Sequence, residues 1–142
     1  GNFTEMEKLS KTSLGGTNDE YKLVPYLDKD LKDALAACDC VVARAGASTI
    51  TEAAAFGKPV ILIPLRESAH DHQRANARAF EKAGGGVIIE EVNLFVGIFI
   101  GVLKKVLKND EVRSRMSTAS AAFFNPTAAE KLAQETLLLA GK

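Results

Sequence analysis

The residues with the most chemistry to offer are Arg44, the run Gly46-Ala47-Ser48-Thr49-Ile50-Thr51-Glu52, and His70-Asp71-His72-Gln73 followed by Asn76. Small residues placed after an apolar stretch make a tight turn into a helix. The first N–H groups of such a helix lack intrahelical partners and, with the helix dipole, favour an anion such as a diphosphate. Glu52 then lies close by, and a carboxylate accepts hydrogen bonds from two neighbouring ribose hydroxyls. A purely structural reading stays open, in which Thr49 caps the helix and Glu52 answers it in a capping box. His70 and His72 are two apart and share no helical face, and no third ligand is evident, so a metal site is not expected. Gln73 and Asn76, three apart, share a face and offer amide donors and acceptors to sugar hydroxyls, a solvated helix start being the alternative. Arg44 reads as an outward ion-pair partner, with phosphate contact as the second reading.

The elements that must hold these groups alternate. Asp39 to Ala43 is the length and chemistry of a buried strand, and the Ala-rich run to Phe56 favours helix until Gly57 and Pro59 end it. Pro59-Val60-Ile61-Leu62-Ile63-Pro64 is a near-continuous apolar run, as in a strand buried on both faces of a parallel sheet. Asp71 is available to cap a helix carrying Ala75, Ala79, Phe80 and Ala83, closed by Gly84-Gly85-Gly86. Val87-Ile88-Ile89 is the next strand, and Leu94 to Leu103 an apolar core helix with a membrane-touching face as its alternative. Lys108-Asn109-Asp110 breaks it before a helix over Val112 to Ala122. Asn125, Pro126 and a second capping box, Thr127 to Glu130, then open a last helix through Leu139.

Upstream, residues 2–13 carry a weak helical pattern, residues 14–19 a loop, Tyr21 to Val24 a strand, and a short helix begins near Asp28. The expected fold class is α/β, a Rossmann-like layer sandwich on a parallel sheet, treated as one partial domain over residues 1–142. A doubly wound unit normally begins on a strand, so the chain is expected to lack its first β-α-β portion.

Across 142 residues, 18 Lys plus Arg balance 18 Asp plus Glu, which removes the global electrostatic case for nucleic acid. Cys38 and Cys40 have no zinc-ligand spacing and are expected to be reduced and buried, as suits a cytosolic protein. The apolar segment is shorter than the roughly 20 residues a bilayer span needs. Neither Gly-x-Gly-x-x-Gly between strand and helix nor Gly-x-x-x-x-Gly-Lys-Ser/Thr is present, which argues against dehydrogenase and P-loop readings.

Taken together, residues 39–52, 57–64, 71–77 and 81–84 resemble the C-terminal half of the MurG family, through Arg-x-Gly-Ala-x-Thr-x-x-Glu and His-Gln-x-x-Asn-Ala. These are bacterial UDP-N-acetylglucosamine transferases of peptidoglycan synthesis, and the resemblance runs from about Tyr21 to the end. It implies a GT-B enzyme with two Rossmann-like domains, the C-terminal one holding the nucleotide sugar. By position, residues 46–52 would seat diphosphate and ribose, with Glu52 on ribose hydroxyls. Leu27 would read the uracil edge through its backbone, and Gln73, beside His72 and Asn76, would contact the sugar. Ser48 stands where the family often has leucine.

The resemblance further implies inverting transfer to a lipid-linked muramoylpentapeptide bound by a domain this chain lacks, with no catalytic residue here and no cofactor or metal. It places the full-length protein at the cytoplasmic face of the cell membrane as a peripheral protein. The family's Gly-Gly-Ser-x-Gly phosphate loop is absent. The chain is therefore expected to bind donor and, alone, not to transfer sugar. Two further readings accompany this one: a non-catalytic nucleotide-sugar-binding subunit of a split transferase, and a related transferase using another UDP-hexose on a lipid acceptor.

Overall fold

The computed structural model describes residues 24–66 and 71–141. The expected helix at 2–13, the loop at 14–19 and most of the expected strand at 21–24 lie outside them. The chain divides into two compact units, Gly1–Ala34 and Leu35–Lys142. In the first, residues 24–30 are irregular, and the turn that starts α1 (Leu31–Ala37) is closed by Ala34 N–H on Asp30 C=O at 2.9 Å.

The second unit runs β1 (Val41–Ala43), α2 (Ala47–Ala55), β2 (Val60–Leu62), α3 (His72–Ala83) and β3 (Gly86–Ile88). A 3-10 turn at Glu91–Asn93, α4 (Val96–Lys108), α5 (Asp110–Phe123) and α6 (Ala128–Leu139) follow. The three strands lie in the order β1-β2-β3, all parallel, with Val41, Val60 and Gly86 in register. Both crossovers advance in the same direction, so handedness puts α2 and α3 on one face. Val60 and Leu62 pack there with Ile50, Ala53, Ala54, Ala77 and Phe80. Ile61 points the other way, to Val106 of α4 and Met116 of α5. The continuous apolar run over β2 is thus explained: each of its three residues is fully buried, and each contributes about 1.5–3 kcal/mol by leaving water.

Local chemistry sets the boundaries. Gly57, at φ 59°, donates to Ala54 C=O while Lys58 N–H reaches Ala53 C=O, both at 2.9 Å, a Schellman end for α2. Asn109 separates α4 from α5 and accepts from Val112 N–H through Oδ1 at 3.0 Å. The expected capping box at Thr127 is not formed: no side chain caps α6, and the Thr127 hydroxyl donates to Asn125 Oδ1 instead. Pro126 accordingly precedes the helix rather than sitting in its first turn.

Helix α5 closes the amino ends of the strands. Ser117 Oγ donates to Gly57 C=O at 2.6 Å, and the fully buried Ser120 Oγ to Lys58 C=O at 2.8 Å. The carboxyl ends are left to the polar residues described next.

Candidate functional site

Helix α2 begins at Ala47, three residues earlier than a Thr49 cap requires. Gly46 is its N-cap, with extended backbone and no side-chain cap bond. The capping-box reading is therefore corrected: Thr49 lies inside the first turn, and Glu52 is exposed on the second. Ile50 N–H takes Gly46 C=O at 3.1 Å, and the N–H groups of Ala47, Ser48 and Thr49 precede it without an intrahelical acceptor. Ser48 and Glu52, four apart and both exposed, share the face beside those donors. The Thr51 hydroxyl is spent on Ala47 C=O at 2.9 Å. At Gly46 a Cβ would meet only Thr49 Oγ1 at 3.7 Å and φ is −68°, so nothing inside the fold demands glycine there. What glycine supplies is access to the backbone.

Around this turn the carboxyl ends of all three strands carry a polar network. Arg44, just after β1, donates through Nη2 to Glu91 Oε1 at 2.7 Å and through Nη1 to Ile63 C=O at 3.2 Å. Glu91 Oε2 also accepts from Arg66 N–H at 3.3 Å, and these bonds, that of Arg44 foremost, hold its carboxyl below the usual range. The ion-pair reading of Arg44 is the one the geometry bears out. Arg74 of α3 joins Glu90, 3.1 Å from Nη2, to Asp71, 3.1 Å from Nη1, and both acids keep its guanidinium charged. Asp71 holds the N-cap position of α3 at φ 54° but caps nothing, since Arg74 takes its carboxylate.

Gln73 Oε1 accepts from Leu65 N–H at 3.0 Å, which fixes the amide and leaves its NH2 as donor. Asn76 Nδ2 donates to Ala45 C=O at 3.2 Å, which ties α3 to the β1–α2 turn and leaves Oδ1 and the second N–H to be offered. His72 is exposed at the first position of α3, and His70 lies outside the described residues. Leu27 belongs to the irregular segment of the first unit. Between α2 and α3, Ile50, Thr51, Asn76 and Phe123 help line a cavity of about 110 Å³, well short of the few hundred a nucleotide sugar fills.

Glu90 and Glu91 were missed from the sequence. The available signal was their position directly after the apolar run ending at Ile89, because in a parallel sheet every residue just past a strand comes to the edge where Arg44 lies. Cys38 and Cys40 are free, as expected, but half-buried rather than buried.

The chain resembles known proteins along most of its length. It is 40% identical over 114 residues to the UDP-N-acetylglucosamine–N-acetylmuramyl-(pentapeptide) pyrophosphoryl-undecaprenol N-acetylglucosamine transferase of Caulobacter vibrioides, covering 80% of this chain and 31% of the relative. The protein of the same name from Lactobacillus helveticus is 37% identical over 130 residues, covering 92% and 34%. The crystal structure of Acinetobacter baumannii MurG superposes with a TM-score of 0.70 at 26% identity, over 78% of this chain and 31% of that one. The chain therefore spans about a third of the length of the relatives it matches. With residues 1–132 matching the model of the glycosyltransferase family 28 C-terminal domain, and a parallel α/β sheet of the GT-B kind beneath them, the chain belongs to that family.

Proposed function

We propose that this chain is the nucleotide-sugar-binding portion of an inverting glycosyltransferase, one that moves N-acetylglucosamine from UDP-N-acetylglucosamine to the lipid-linked muramoylpentapeptide of peptidoglycan. The observation that carries the reading is the uncapped start of α2 at the carboxyl end of β1, approached through a glycine the fold itself does not need. The N–H groups of Ala47, Ser48 and Thr49 receive the diphosphate, and Glu52 accepts from the ribose hydroxyls. As the acceptor hydroxyl attacks the anomeric carbon, charge grows on the departing UDP, where the helix dipole and those N–H groups stabilise it. Gln73, its carbonyl pinned by Leu65, donates its NH2 to a sugar hydroxyl, while Asn76 positions the turn and His72 stands beside it.

The acceptor and the base that activates it belong to parts of the relatives that this chain does not span, so the chain by itself binds donor without transferring it. No described helix is long and apolar enough to cross a membrane. A lipid-linked acceptor places the whole enzyme peripherally, at the cytoplasmic face.

Titration of UDP-N-acetylglucosamine, followed by heteronuclear NMR, tests the site. Shifts are expected at 46–52 and at Gln73. Glu52→Ala should weaken binding about ten- to a hundredfold, the worth of hydrogen bonds to a charged acceptor. Unchanged affinity in a folded Glu52→Ala chain rejects the ribose assignment. Competition with UDP-galactose reads the hexose preference separately.

A further inference from the structure

We propose that the exposed side of α4, with the residues leading into it, is a membrane-contact surface for an anionic phospholipid bilayer. This deepens the peripheral placement proposed above and rests on it in that respect only. The core stripe of α4 is already satisfied, since Phe99, Val102, Leu103 and Val106 pack toward Ile61, Ile89 and Met116. The opposite side of such a helix should be polar. Instead Leu94, Phe95, Val96, Ile98 and Ile100 are all exposed, Phe95 at 64% and Val96 at 81%. Gly97 and Gly101 lie among them with nothing within 4 Å. Past this apolar start come Lys104, Lys105 and Lys108, and the helix carries no acid.

Charge selects the occupant. Three neighbouring acids are paired with arginines: Glu90 with Arg74, Glu91 with Arg44 and, at the surface, Asp110 with Arg113, at 3.1, 2.7 and 2.8 Å. Glu111 is the nearby exception. A chain of zero formal net charge thus presents a cationic patch at the end of α4. Next to it a cavity of about 390 Å³, between β3, α4 and α5, is lined by Val87, Val102, Val106 and Met116 together with Lys105 and Arg115, Glu81 being the acid that shares it. Apolar walls with two cations suit a phosphate-headed acyl lipid. A second copy docking symmetrically would set lysine against lysine, which costs free energy. The separation runs along α4 rather than around it, so the helix meets the bilayer start first, its apolar residues at the acyl boundary and its lysines among the phosphates.

Co-sedimentation of the full chain with phosphatidylglycerol/phosphatidylcholine vesicles, against phosphatidylcholine alone, tests this. Binding to the anionic vesicles is expected, weakening with added salt. The variant K104Q/K105Q/K108Q should bind about a hundredfold more weakly, at about fivefold per lysine near an anionic surface. F95S/I98S should bind at least about tenfold more weakly, and Leu138→Ser on α6 should bind as the parent does. All substituted side chains are exposed, and circular dichroism checks that each variant stays folded. Equal recovery on phosphatidylcholine, parental binding by either α4 variant, loss of binding in Leu138→Ser, or self-association without vesicle binding would overturn the proposal. UDP-N-acetylglucosamine affinity measured in the same samples separates the two readings. Donor binding without vesicle binding removes the membrane surface alone, and vesicle binding without donor binding removes the donor site alone.

Discussion

Cys40 illustrates how a single side chain's behaviour depends on its packing. Its thiol lies against the Ile61–Val106–Met116 cluster, where burial, and after it the neighbouring Cys38, push its pKa up to about 11 from 9.0. Two pH units mean about a hundredfold less thiolate in the folded chain at pH 8, and the thiolate is the nucleophile. Alkylation of Cys40 at pH 8, read by peptide mass spectrometry, should therefore be about a hundredfold slower in the folded protein than in urea. The same shift has a consequence for stability. Because the unfolded thiol ionises near 9.0 and the folded one near 11, unfolding releases a proton between those values. Stability should fall as pH rises through that window, and Cys40→Ser should abolish this part of the dependence. Glu91 behaves oppositely: bonded to Arg44 and Arg66, it stabilises the carboxyl edge above the ordinary carboxylate range, and that contribution is lost as pH falls through its lowered pKa.

At the scale of elements, Gly84-Gly85-Gly86 serves more purposes than ending a helix. Gly84, at φ 91°, is the C-cap of α3 that glycine's conformational freedom suits. Gly85 is needed for a different reason: a Cβ there would stand 2.6 Å from Phe80 Cζ and 3.0 Å from Ser120 Cα. Phe80 cannot yield, because it is fully buried and meets Phe123 edge-on at 5.0 Å. Gly85→Ala should cost about 1–3 kcal/mol by overpacking, seen as a lower urea midpoint at unchanged slope. Gly101→Ala is the contrasting case. On the open side of α4 it meets nothing, and it should stabilise by roughly 0.5–1 kcal/mol in the same measurement.

For the whole molecule, the decisive contacts join residues far apart in the chain. Ser120 Oγ binds Lys58 C=O across 62 positions and fastens α5 beneath the sheet. Ser120→Ala leaves that carbonyl unpaired in a buried place, and a loss of about 1–3 kcal/mol is expected in urea denaturation. Much of the architecture was legible without coordinates. The doubly buried run at 60–62 and the glycine breaks at 57 and 84 came through, whereas of the turn expected at 46–49 only Gly46 lies outside the helix. Periodicity and turn chemistry are local properties, and β2 is central in a parallel sheet as its continuous apolar run requires. Capping was read less well. Thr49, Asp71 and Thr127 all have capping chemistry and none of them caps, because the true helix starts and competing partners such as Arg74 and Asn125 are set by neighbours. The sequence by itself determined the α/β alternation, the buried strand and the helix that follows β1. Only the tertiary structure decided that Arg44 meets Glu91 across 47 positions, that Gln73 holds Leu65, and that Asn76 holds Ala45. The reason is that an ion pair or hydrogen bond needs its groups within about 3 Å. Chain composition supplies the groups, and only the packing of helices on the sheet brings them to that distance.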